Sequence, residues 1–87
     1  IKLELFGASR EFSNKDYLDF NINKKISIKD FRQEIINYLK LNFKENKAFK
    51  KIVETSAFCT EDNNIINDNY KIIKNQKITI IPPIGGG

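Results

Sequence analysis

Apolar and polar residues alternate from the first positions of the chain. Leu3 and Leu5 lie on one side of Ile1-Lys2-Leu3-Glu4-Leu5-Phe6, with Lys2 and Glu4 on the other. A period of two predicts a strand with one buried face, ended at Gly7. Alternation returns at Tyr17-Leu18-Asp19-Phe20-Asn21-Ile22, after a polar stretch carrying the turn cluster Ser13-Asn14-Lys15-Asp16. Two such runs about a turn-bearing loop read as a hairpin. The period then lengthens. Ile28, Phe31, Ile35 and Leu39, widened by Ile36, form one stripe at spacings of three and four, which predicts a helix of about 13 residues. Ser27 stands at its N-cap position with Asp30 three residues on, a short form of the capping box. Leu41 to Phe43 is expected to lead out of this helix.

The second half is less regular. Lys44 to Glu54 is charged, with Phe49 and Ile52 three apart, and predicts a short second helix or a turn. Val53 to Cys59 predicts a third strand, Glu61-Asp62-Asn63-Asn64 a turn, and Ile65-Ile66 the stub of a fourth strand. Lys77-Ile78-Thr79-Ile80-Ile81 is rich in β-branched residues and stops at Pro82-Pro83, neither of which can donate to a ladder. The order β-β-α-β-β, with one short extra strand or turn, predicts an α+β domain of the β-grasp, ubiquitin-like kind. Its mixed sheet of four to five strands carries one main helix, with the first and last strands as parallel neighbours at the centre. The domain is expected over residues 1–81, with a flexible C-terminal tail over 82–87.

At 87 residues there is room for one core. The chain has no His, no Trp, no Met and one Cys. Without imidazole, hydrolase triads of the Ser-His or Cys-His type are excluded, and no closed zinc site can be assembled. Lone Cys59 excludes an internal disulfide, in keeping with a cytoplasmic protein. No apolar run nears 18 residues and no basic-then-apolar leader is visible, so neither spanning nor export is expected. The net charge of +4 suggests nucleic acid. Arg10 and Arg32 are the only arginines, however, and nucleic-acid recognition favours Arg over Lys, so no nucleic-acid partner is expected. Lys44, Lys47, Lys50 and Lys51 can form a basic face, read either as a solvated helix surface or as a phosphate-binding patch.

The tail Pro82-Pro83-Ile84-Gly85-Gly86-Gly87 holds the candidate chemistry. Paired prolines favour an extended exit from the globule. Glycines without side chains can thread a channel no wider than a backbone. The reactive group at the tip is the Gly87 carboxylate, a poor electrophile that needs activation by another protein, for instance as an acyl-adenylate. A frayed end is the alternative meaning of such glycines.

Ile78-Thr79-Ile80-Ile81-Pro82-Pro83-Ile84-Gly85-Gly86-Gly87 resembles the ending of the molybdopterin synthase small subunit, the MoaD type of sulfur carrier. That family has an apolar strand, Pro-Pro, an aliphatic residue, a variable residue and Gly-Gly. Ile1-Lys2-Leu3, Phe6, Ala8 and Arg10-Glu11 resemble its first strand and the residues after it, and Ile28 to Ile36 with Arg32-Gln33 its first helix. Asn75-Gln76-Lys77 stands where the family usually has Gly-Asp-Glu, with Asn expected to tolerate the left-handed turn of that Gly. Cys59 replaces a frequent Asn and reads as a core or strand-end thiol, the other reading being a persulfide relay.

The resemblance implies a non-catalytic carrier that binds no cofactor or metal itself. An E1-like adenylating enzyme using ATP would activate Gly87, and a sulfur donor would convert it to a thiocarboxylate. The tail, Pro82 to Gly86, would then enter the large subunit of molybdopterin synthase and deliver sulfur to a cyclic pyranopterin, in molybdenum cofactor biosynthesis. Phe6 matches a family interface position, and Ile81 and Ile84 flank the tail; ordinary core packing is the other reading of all three. A thiamine-type sulfur carrier and a ubiquitin-like protein modifier are the alternatives on this fold.

Overall fold

The computed structural model describes residues 1–44 and 46–84. Strand β1 (Lys2–Leu5) is followed by a 3-10 helix (Gly7–Phe12) and β2 (Tyr17–Asp19). A two-residue strand, β3 (Ile26–Ser27), leads into α1 (Ile28–Phe43), and α2 (Lys47–Thr55) follows. Then come β4 (Ala57–Thr60), β5 (Ile65–Ile66), β6 (Lys71–Ile72) and β7 (Lys77–Ile81).

Five strands form one mixed sheet in the order β2-β1-β7-β4-β5. Strands β1 and β7 run parallel at its centre, Leu3 opposite Ile78 and Leu5 opposite Ile80. Strand β2 is antiparallel to β1, and β4 is antiparallel to both β7 and β5. This is the β-grasp arrangement. Leu3, Leu5, Phe58, Ile78 and Ile80 line one sheet face and are fully or almost fully buried with Ile28, Phe31, Ile35, Ile36 and Leu39 of α1. Burial of each such side chain stabilises the fold by roughly 1.5–3 kcal/mol, which fixes the helix across the sheet. Phe31 meets Phe58 at 6.3 Å and Phe20 edge-on at 5.3 Å between ring centroids.

The Ser27 cap forms as expected, its Oγ accepting from the backbone N–H of Asp30 at 3.1 Å. The helix runs past its expected end, because the Phe43 ring meets Phe49 of α2 edge-on at 5.2 Å between centroids and holds the last turn down. Helix α2 starts at the cap of Asn46, whose side chain accepts from Phe49 N–H at 3.1 Å. It also takes Val53 to Thr55 from the strand expected there. Part of the cause lies on α1. Arg32 Nη1 donates to the carbonyls of Val53 (2.6 Å) and Ser56 (2.8 Å), and Nη2 donates to Asp68 at 2.7 Å. These bonds satisfy carbonyls that a helix end leaves bare.

Three further expectations change. The hairpin's second strand closes at Asp19, not Ile22. The polar stretch after β1 contains a 3-10 helix with Ser9 and Phe12 buried. Among the described residues outside glycine, only Lys44 and Asn63 have positive φ, so Asn75 makes no left-handed turn. Strands β3 and β6 pair in a separate two-stranded ladder, Ile26 opposite Ile72.

Candidate functional site

The site is the pole of the sheet where β7 ends and the tail begins. Each flanking strand reaches it at a defined register: Leu5 of β1 and Phe58 of β4 lie opposite Ile80, and Ala57 lies opposite Ile81. Alternation along β7 turns Ile78 and Ile80 toward α1, leaving Thr79 and Ile81 on the other face. On β1 the same alternation separates Leu3 and Leu5 from Glu4, and the next residue in that outward set is Phe6.

Phe6 is 57% exposed, so the reading of it as a core residue fails. Its backbone is nonetheless held. Ser9 Oγ accepts from Phe6 N–H at 2.9 Å and donates to Phe6 C=O at 2.6 Å, while Ser9 N–H donates to the same carbonyl at 3.1 Å. The Ser9 side chain therefore takes over where the ladder stops, with the residue fully buried. Gly7 follows at φ +54, a left-handed conformation that favours glycine, and turns the chain into the 3-10 helix. A Cβ built on Gly7 would lie 3.9 Å from Pro82 Cδ, ordinary contact distance. The start of the tail thus packs beside the turn that presents Phe6.

Pro82 is buried, Pro83 is exposed, and Ile84 is 99% exposed. Ile81 is half-buried. The structure therefore brings Phe6, Ile81 and Pro82 to one pole, with Ile84 clear of the core beyond them. Gly85, Gly86 and Gly87 lie outside the described residues. Cys59 sits in the middle of β4, buried, in a row across the outward sheet face: Tyr17, Glu4, Thr79, Cys59 and Ile65 are successive register partners. It is thus buried, as the core reading expects, on the face away from α1 and one residue short of the strand's end.

Sequence reasoning missed Gly7, Ser9 and Ala57 as parts of the site. A serine three residues after a strand-ending Phe, with glycine between them, was the available signal for the Ser9 clamp. Among the described residues no group of three or more His, Cys, Asp or Glu is placed to hold a metal. No described helix is long and apolar enough to cross a membrane. What the pole offers chemically is an apolar surface beside a chain exit. Comparison of the chain with protein-family models gives no match, and comparison with curated proteins gives none.

Proposed function

We propose that the protein is a sulfur carrier of the molybdopterin synthase small-subunit type, acting in the cytoplasm and not itself an enzyme. The observation that carries the reading is the exit of the central strand through Pro82-Pro83-Ile84 toward Gly85-Gly86-Gly87, on a β-grasp fold, beside exposed Phe6. The division of labour is physically coherent. A domain of this size with no imidazole supplies a slim arm and a docking surface, and its partners supply the acid-base and nucleotide chemistry.

In this reading the Gly87 carboxylate attacks the α-phosphorus of ATP on an E1-like adenylating enzyme, releasing pyrophosphate and leaving an acyl-adenylate. Hydrosulfide from a sulfur donor then attacks the acyl carbon, AMP departs, and a thiocarboxylate remains. Phe6 and Ile81, with Ala57 beside them, dock against the adenylating enzyme and later the large synthase subunit. Pro82 to Gly86 enter the partner's channel, and sulfur passes to a cyclic pyranopterin. Gly86 has to pass where a backbone alone fits.

Intact-mass analysis tests this directly, after incubation with an E1-like adenylating enzyme, ATP and sulfide. The expected product has one oxygen of Gly87 replaced by sulfur. Gly85→Ala is expected to retain most of this conversion together with sulfur delivery to the large subunit. Gly86→Val should nearly abolish delivery, because a Cβ-branched residue both blocks the channel and narrows the accessible φ. Sulfur attached to Cys59 with Gly87 unchanged would overturn the assignment.

A further inference from the structure

The cleft between the end of α1 and the start of α2 lies outside the tail pole and has a different chemistry. Its floor is Ile36 and Leu39, 4% and 3% exposed. Its rim is Lys40, Lys44, Lys47 and Lys50, with Asn46 between them. Among the described residues no carboxylate lines it, and none of the described carboxylates pairs with these four lysines. Lys40 comes from α1, Lys44 from the junction, and Lys47 and Lys50 from successive turns of α2. The fold therefore gathers cations that the sequence scatters over eleven positions.

Like charges gathered this way repel, and the junction is strained as well. Lys44 adopts φ 58 and ψ −156, a region almost confined to glycine. A lysine at that position keeps a charge where Gly would relieve the backbone. The cleft volume is about 130 Å³. A dry cavity of about 150 Å³ accepts a benzene-sized group, so this one admits a single apolar side chain.

We propose that the α1–α2 cleft binds an acidic peptide segment of a partner protein, one aliphatic side chain seated on Ile36 and Leu39 and flanking carboxylates on Lys40, Lys44, Lys47 and Lys50. The site goes beyond the sulfur-carrier reading and uses none of its residues. A nucleic acid fits less well. The floor is aliphatic, where single strands are bound by stacking on aromatic rings, and the rim has Lys in place of the Arg that reads bases. A free phosphate would leave the apolar floor unused.

The test is a methyl and amide NMR titration of the intact protein with the unlabelled heptapeptide Glu-Asp-Glu-Leu-Asp-Glu-Glu. Saturable shifts are expected at the Ile36 and Leu39 methyl groups and at the amides of Lys40, Lys47 and Lys50. Replacing the peptide's Leu by Ser should weaken binding at least tenfold, since the seated side chain is then lost. Lys47→Glu/Lys50→Glu should weaken it at least tenfold as well. Lys24→Glu/Lys25→Glu, an equal change of charge on another exposed loop, should stay within twofold. All these lysines are exposed, and circular dichroism checks that each variant is folded. The proposal is overturned if binding does not saturate, if the Ser peptide binds as well as the Leu peptide, or if both charge reversals weaken it equally. Tighter binding of a twelve-nucleotide oligothymidine, or of inorganic pyrophosphate, at the same residues also overturns it. None of these outcomes bears on Gly87.

Discussion

The two ends of β7 are built differently, although the strand is only five residues long. At its start, polar groups fix the position. Lys77 N–H donates to Glu61 Oε1 at 3.0 Å, Lys77 Nζ lies 3.4 Å from Glu4 Oε2, and Lys2 N–H donates to the Gln76 carbonyl at 3.1 Å. At its end the neighbours are Ile81, Ala57, Pro82 and Phe6, all apolar, and the one side-chain clamp nearby acts on the Phe6 backbone rather than on β7. Polar ties at the start reinforce a register that the alternation already sets, since a one-residue slip would turn Ile78 and Ile80 away from α1. The end leaves Phe6 and Ile84 exposed beside half-buried Ile81 and Ala57 and buried Pro82. In the proposed reading, exposed Phe6 and Ile84 at this end are the apolar side chains a partner would cover.

The comparison implies that adjacent residues of β7 differ sharply in what they support. Ile80 is fully buried against α1, and Ile81 is half-buried on the other face. Ile80→Ala should cost about 3–4 kcal/mol, the transfer of its methyl and methylene groups plus the cavity left behind. Ile81→Ala should cost about 1 kcal/mol or less. Urea denaturation of both variants measures the difference. Equal losses would mean that the far face of the sheet is as much a core as the face beneath α1.

How much of this was legible follows from the length over which a pattern persists. Strands β1 and β7 repeat their alternation long enough to be read, and Pro82-Pro83 marks where β7 stops. The α1 stripe and its Ser27 cap are local signals, and they held. The boundary between α2 and β4 departs from the expected one because Val53 and Thr55 are β-branched and favour a strand. Local bonds from Thr55 Oγ1 to the Lys51 carbonyl and from Ser56 Oγ to the Ile52 carbonyl help end the helix there. Arg32 adds a tie that no local pattern carries, 21 and 24 residues away in the chain from the carbonyls it binds at Val53 and Ser56. Strands β3 and β6, of two residues each, are too short to show a period. At the site, Phe6 was named by the family resemblance and Ile81 by its place beside the tail, each standing where the alternation breaks, whereas the Ser9 clamp was hidden in a stretch that looked like polar loop.

That clamp supports a prediction of intermediate size. In Ser9→Ala the Phe6 N–H loses its partner, while the Phe6 carbonyl keeps the Ser9 N–H at 3.1 Å. One orphaned donor beside a fully buried residue should cost about 1–2 kcal/mol. The same change frees the backbone that holds Phe6, so amide exchange at Phe6 should speed up more than at Leu3, which stays inside the ladder. A loss below about 0.5 kcal/mol with unchanged exchange would mean that the β1 end is held by packing alone.

The smallest expected change in stability falls on the residue with the largest expected role in docking. Phe6 is more than half exposed, and its ring contributes little to the core. It also occupies the N-cap position of the 3-10 helix, where Asp is well tolerated because its side chain accepts from free N–H groups. Phe6→Asp should therefore leave the unfolding free energy within about 0.5 kcal/mol of the parent. At an interface the result is opposite, since an unpaired carboxylate forced out of water costs several kcal/mol. In the proposed thiocarboxylation by an adenylating enzyme, this should appear as a kcat/KM lower by about 100-fold, carried mainly by KM. Unfolding of the variant would place Phe6 among the residues that hold the sheet together. A folded variant with parental kcat/KM would instead separate the pole from docking, and the contrast between the two ends of β7 would then be one of construction without consequence for recognition.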